Sequence, residues 1–419
     1  MRQGSWIVCT LALLFLVSAL SAQQVKESVV YSFGTNPDDG IIPNGGLVFD
    51  GRGNIYGTTR GGGPNFAGTA FELTPMEDGT WAETVIYKFC SSPNCADGAG
   101  PFAGLLSDNS GNLYGTTNQG GSYSACGDGG GCGTVFELSP TQSGGWAETV
   151  LWSFGGDGDG QLPWSRLVRD DLGNLYGTTE HGGSGLSTGA VFELSPGPAG
   201  TWSESALYRF CVNGPPCPDG AFPIAGVSLD KAGNLYGTTS YGANDGQWGT
   251  VYELSPGLGG EWTLSTLHRF NSQTGGQPYS AVNFDSAGNL YGTASGAHPG
   301  DPGYCGNVWR LTRQPGNAFK AFVFEQSGAD GCVPLAGVFI DNNAKTVIGT
   351  TSTGGAFNAG TLFKITGTKH TVLDNFCRVA GCADGSTPSA SLTANGGALY
   401  STTAKGGTFN QGVVFQIKP

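Results

Sequence analysis

After its first 25 residues the chain is a succession of short apolar runs separated by clusters of Gly, Asn, Asp, Ser and Pro. Between residues 103 and 154 the runs read AGLLSD from Ala103, NLYGTT from Asn112, GTVFELSP from Gly133 and AETVLWSF from Ala147. Short runs rich in β-branched and aromatic residues, each bounded by turn residues, predict four strands, here called a, b, c and d. Between a and b, Asp108-Asn109-Ser110-Gly111-Asn112 supplies residues that accept the positive φ of a tight hairpin. Between c and d a Ser-Pro and glycines lead to Trp146, and Trp81, Trp202 and Trp262 hold the same place in other copies. The interiors VFEL and VLWSF are apolar on nearly both faces, as strands packed between two neighbouring sheets must be.

The pattern recurs along the chain. GNIYGTT begins at Gly53, GNLYGTT at Gly111, Gly173 and Gly233, and GNLYGTA at Gly288; weaker copies are KTVIGTT at Lys345 and GALYSTT at Gly397. From Gly57 to Ser401 the period is roughly 57 residues, longer than the ~40 to 50 of WD40 and kelch blades. Seven copies of four antiparallel strands joined by hairpins predict an all-β fold, a seven-bladed β-propeller. The ends support a closed ring. The last copy stops after a c strand, residues 412–419, and the first opens with a d strand, residues 27–33, so ESVVYSF is expected to complete the blade built from the C-terminus. Closure removes the sheet edges an open array exposes. The alternative, an open solenoid, needs polar capping repeats that the chain lacks.

Composition narrows the class. With 74 Gly in 419 residues and only 12% charged side chains, a helical enzyme is excluded. Arg2, the apolar run from Trp6 to Val17 and the small residues Ser18 to Ala22 read as a secretory signal peptide over residues 1–22, leaving 23–419 as one propeller domain. A retained anchor is the other reading, although the run is shorter than the ~20 residues a bilayer needs, and no later segment could span. Cys9 precedes most of the apolar run, the wrong order for lipidation, and leaves with the leader. The remainder has ten cysteines and a formal charge of −14, from 18 Lys and Arg against 32 Asp and Glu. The pairs Cys90 and Cys95, Cys126 and Cys132, Cys211 and Cys217, and Cys377 and Cys382 lie in Gly- or Pro-rich stretches and read as loop disulfides, with Cys305 and Cys332 left as the fifth pair. Each short loop would contribute on the order of 2 kcal/mol. Zinc is the rival reading, and His181, His268, His298 and His370 do not sit near these pairs at ligand spacing. The acidic balance opposes nucleic acid and anionic lipid as partners.

GNLYGTT followed by a Gly-Gly pair and GTVFELSP resembles the GloVer-type tandem-repeat family of bacterial exported proteins, over essentially the whole mature chain. The resemblance implies a surface-exposed or extracellular propeller-like protein without assigned catalytic residues. Departures fall at Thr293-Ala294, at Lys345 to Ile348 and at Ser401. No anchor follows Pro419, so release into the periplasm or the medium is expected.

With strands running a to d from axis to rim, the d-to-a and b-to-c loops share one face, where function is expected. That face also brings Cys305 and Cys332 together. Six d-to-a loops carry Asp-Gly-x-x-Pro: Asp39, Asp97, Asp159, Asp219, Asp330 and Asp384. A residue repeated with the symmetry of a ring is usually making a turn. Its functional reading is a ring of carboxylates near the axis holding a cation, with Asp157 and Asp159 the best calcium candidates and no other cofactor implied.

Positions that vary between copies point to a ligand. After the Thr-Thr they include Arg60, Gln119, Glu180, His181, Tyr241 and Lys405; after the signature Pro they include Phe102, Trp164 and Tyr279. These aromatics are expected to ring the channel mouth, either plugging it as core or, with a polar fringe, stacking on a carbohydrate or peptide. There is no GxSxG elbow, HExxH helix or Walker loop. The expected role is a secreted binding module for an extracellular glycan or protein. The alternatives are a polysaccharide hydrolase or lyase using Glu180 with an Asp, and a structural envelope or matrix protein.

Overall fold

The computed structural model describes residues 26–418 apart from loop positions 37, 64, 124–125, 127–129, 156–157, 184–186, 244–247, 297–304, 315–318, 326 and 343–344. The signal-peptide segment therefore lies outside the described residues, among which no helix is long and apolar enough to cross a membrane. Seven antiparallel sheets form the propeller. Their b strands, which number the blades, are Ile55–Thr59, Leu113–Thr117, Leu175–Thr179, Leu235–Thr239, Leu290–Ala294, Thr346–Thr351 and Ala398–Lys405. In blade 2 the a, c and d strands are Leu106–Ser107, Thr134–Pro140 and Trp146–Ser153. The predicted six-residue a run is thus reduced to two paired residues, Leu106 opposite Tyr114 and Ser107 opposite Leu113. In blades 1 to 5 the b strands are buried throughout, whereas the d strands of blades 1 to 4 alternate half-buried and exposed over their first residues, which departs from the two-sided burial expected of them.

Blade 7 closes the ring as the ends of the sequence predict. Lys26–Ser32 pairs antiparallel with Val413–Lys418, Val29 opposite Phe415 and Tyr31 opposite Val414. The junction is reinforced by Phe33 N–H donating to Gly412 O at 3.0 Å and Thr408 N–H to Ser32 Oγ at 2.8 Å.

The repeated motif is a set of fasteners. Asp50 Oδ1 accepts from the amides of Arg52 and Asn54, and Oδ2 accepts from Asn54 Nδ2 and the Tyr56 hydroxyl, so one carboxylate closes the a-to-b hairpin. Asp108, Asp170, Asp230 and Asp285 do the same in blades 2 to 5. The motif Gly leaves room for the c-strand aromatic ring: a Cβ on Gly177 would sit 2.6 Å from Phe192 Cζ and 3.0 Å from Leu167. The first Thr reaches the next blade. Thr58, Thr116, Thr178, Thr238 and Thr293 donate through Oγ1 to the carbonyls of Ala103, Ser165, Ala225, Ser280 and Ala336 at 2.7 to 3.1 Å. The second Thr ties b to c, as Thr59 does to Thr69 at 2.8 Å.

Two further contacts cross every blade junction or most of them. The residue before each signature Pro (Ile42, Gly100, Leu162, Phe222, Gln277, Val333 and Thr387) has φ between 54° and 64°. In that left-handed turn its N–H meets the b-to-c loop of the preceding blade, for example Leu162 to Cys132 O at 2.9 Å. The Phe that ends each d strand packs edge-on against the next c-strand ring, as in Phe154 with Phe192 at 5.1 Å and Phe210 with Tyr252 at 5.1 Å. All five expected disulfides form: Cys90–Cys95, Cys126–Cys132, Cys211–Cys217, Cys305–Cys332 and Cys377–Cys382.

The outer seams carry charge. Glu83 lies beside Asp39, Glu148 beside Asp97 and Glu204 beside Asp159. Burial, with the neighbouring Asp charge adding to it, pushes each glutamate up from 4.5 to about 7. At the seam of blades 6 and 7 a cation is built in, with Arg378 2.6 Å from Glu27, 3.1 Å from Asp374 and 3.4 Å from Asp384.

Two predictions follow from this packing. Gly177→Ala should cost about 2 kcal/mol in urea unfolding through overpacking against Phe192, and an unchanged midpoint would contradict the tight fit. Because the three glutamates are raised on folding, the stability they contribute is complete below about pH 4.5 and lost as pH rises through about 7. The melting temperature should therefore fall between pH 5 and pH 8, and Glu83→Gln with Glu148→Gln and Glu204→Gln should flatten that fall.

Candidate functional site

The channel mouth is built by the three residues that follow each signature Pro. They enclose an axial cavity of about 360 Å³ lined in part by Phe102, Trp164, Ile224, Tyr279, Leu335, Asn44 and Ser389, one from each blade. The proline fixes the backbone before each of these side chains, and the threonine bond to the carbonyl of the following residue holds the blade edge in place. Phe102, Trp164 and Tyr279 thus converge where the repeat alignment places them, and all three are half-buried. The Phe102 and Trp164 rings stand 4.0 Å apart at 52°. Trp164 Nε1 is buried and has no hydrogen-bond partner among the described residues.

The fringe is polar and uneven. The exposed Arg60 guanidinium lies 4.3 Å over the Phe102 ring. Arg60 and Gln119 also line a side pocket of about 390 Å³ between blades 1 and 2, with Phe102 as the shared wall. Glu180 Oε2 is 3.6 Å from His181 Nδ1. Phe222 stands between His181, at 5.4 Å, and Tyr241, at 5.7 Å, and Gln277 Nε2 donates to the Tyr241 hydroxyl at 3.4 Å. The Tyr279 phenol is pushed up by burial and further by Tyr241 and Glu180, which places all three in one electrostatic neighbourhood. Lys405 is exposed opposite Ser386 and lines neither cavity.

The Asp-Gly-x-x-Pro carboxylates face their own loops. Asp97 accepts from the Tyr87 hydroxyl at 2.8 Å and from the amides of Ser91 and Ser92, and Asp39 from Tyr31 and the amides of Gly34 and Thr35. None lines the axial cavity. Asp159 accepts from Trp152 Nε1 at 3.3 Å and Gly155 N–H at 3.4 Å; its calcium-candidate partner Asp157 lies outside the described residues. Among the described residues no three His, Cys, Asp or Glu side chains group as metal ligands.

Some of the site escaped the sequence reading. Phe222 and Gln277 precede the signature Pro, and only the left-handed backbone there turns them to the rim. Exposed aromatics also stand on the b-to-c loops of four consecutive blades, Phe357, Phe409, Phe66 and Tyr123. A cleft of about 620 Å³ lies elsewhere, between blades 5 and 6 beside Tyr291 and Arg310. It exists because the hairpin after Thr366 is short and puts Thr368 where blade 1 has Trp81.

The sequence profile of the Gloeobacter/Verrucomicrobia repeat matches residues 85–264 and again 223–419. The chain belongs to this family. No curated protein matches it. Among solved structures it is similar to PorZ of Porphyromonas gingivalis, a surface component of the type-IX secretion system, at 12% identity and TM-score 0.50. That alignment covers 93% of this chain and 48% of PorZ, and it shows a shared fold. The periplasmic gluconolactonase PpgL of Pseudomonas aeruginosa aligns at 12% identity and TM-score 0.47, over 78% of this chain and 82% of PpgL.

Proposed function

We propose that this repeat protein is an exported binding module that takes an extracellular glycan at its axial mouth. The observation that carries the reading is the convergence of Phe102, Trp164 and Tyr279, aligned by repeat register alone, on one cavity. Sugars present an apolar face and many hydroxyls, so they favour an aromatic surface with a few directional polar groups. Arg60 and Glu180 supply those groups. The exposed arc of Phe66, Tyr123, Phe357 and Phe409 extends the apolar surface for a polymer or a protein larger than the mouth. Five disulfides support export to an oxidising compartment. Hydrolysis is less favoured, since no carboxylate lines the axial cavity and a glycosidase requires two at a set separation.

Calorimetric titration of oxidised protein with a panel of oligosaccharides is expected to give saturable binding. Trp164→Ala and Tyr279→Ala should each weaken it at least about tenfold while moving the melting temperature by no more than about 3 °C. Binding that survives both substitutions would place the ligand elsewhere.

A further inference from the structure

Two residues below each mouth residue, the channel narrows to an inner ring. In six blades that position holds a small residue, Gly46, Gly104, Gly226, Ala281, Gly337 or Ser391; in blade 3 it holds Arg166. The reason for small residues is close approach. A Cβ on Gly104 would lie 2.3 Å from Gly46 O, and one on Gly226 would lie 2.7 Å from Arg166 O. A long cationic side chain in this ring is therefore a departure from the small residues of the other six copies, which close approach requires at Gly104 and Gly226.

Arg166 leans towards blade 2, with Nε donating to Leu105 O at 3.0 Å. No carboxylate lies within ion-pair distance of it among the described residues, and no acidic residue lines the cavity. It is walled in by protein on the sides yet keeps solvent access through the channel. The surrounding protein disfavours its charge. Arg166 is exposed to the channel and has no protein counter-charge among the described residues, so its guanidinium is open to an anion arriving from solution. The two guanidinium Nη groups offer the fork that a carboxylate accepts in bidentate fashion. The same cavity is lined by the rings of Trp164, from blade 3, and Phe102, from blade 2.

We propose that the axial site selects an acidic glycan, and that Arg166 binds the carboxylate of a uronate residue whose ring face stacks on Trp164 and Phe102. This rests on the axial mouth being the glycan site. The composition of the wall favours a uronate over a phosphate or sulfate ester, because a single cation and a stacking surface match one charge on a sugar ring with an apolar C–H face.

The test compares galacturonate oligomers with their methyl esters, which keep the ring and lose the charge. The wild type is expected to bind the acid at least about tenfold more tightly than the ester, with a preference that weakens as salt rises. Arg166→Met should bring the acid down to the ester's affinity without affecting the ester. Arg166→Gly, which restores the pattern of the other blades, should fold and do the same. Arg166→Lys should recover only part of the preference, since the fork is lost. Equal binding of acid and ester by the wild type, or a preference that survives Arg166→Met and Arg166→Gly, would overturn the proposal. If both forms bind in a manner sensitive to Trp164→Ala but not to Arg166, the acidic-ligand inference fails and the mouth stands. If neither oligomer nor any neutral glycan binds, the mouth reading fails with it. If a peptide with a free C-terminal carboxylate binds through Arg166 and no uronate does, the glycan class is wrong.

Discussion

Each blade of this propeller is too thin to bury its own faces, so everything depends on how one blade is fastened to the next. The fastening is local and repeated. A threonine hydroxyl crosses to the carbonyl beside the axis, an amide in a left-handed turn crosses to the preceding blade's loop, and an aromatic ring packs across the middle. The left-handed turn is adopted by Ile42, Val333 and Thr387, β-branched residues that avoid it elsewhere. Its cost is borne because it lets one peptide unit serve two blades. At the seam of blades 5 and 6 the fastening is weaker, because the short hairpin of blade 6 lacks the Trp of blades 1 to 4. That is where the 620 Å³ cleft opens.

The same fastenings decide where chemistry sits. They consume the side chains that recur, including Asp39, Asp97 and the hairpin Asp50, whose oxygens are largely taken by backbone amides and tyrosine hydroxyls. What is left free of structural duty are positions the repeat does not constrain, and these are the ones at the mouth. Two rings of seven equivalent positions, one carrying Phe102, Trp164 and Tyr279 and the inner one carrying Arg166, make a symmetric scaffold with an asymmetric surface, as a single ligand requires.

Repeat alignment was the instrument that made the mouth legible. It sets Phe102, Trp164 and Tyr279 at one level, and two residues further on it sets Arg166 among small residues. Phe357 and Phe409 hold the same place in b-to-c loops of equal length, two residues after Gly-Gly, and Phe66 lies one residue further on, so part of the exposed arc was legible as well. Other parts were illegible for a physical reason. Phe222 and Gln277 sit before a proline, where the usual backbone preference is extended.

From the sequence alone came the number of blades, the order of strands, the closure of the ring and the pairing of the cysteines. These follow from periodicity, turn chemistry and the mismatch of the two chain ends, all of which act over short stretches or by simple counting. The tertiary structure decided which carboxylates are committed to loops, which seam opens, and which side chains of different blades share a cavity. Those depend on distances between residues dozens apart in sequence, set only when neighbouring sheets pack around the axis.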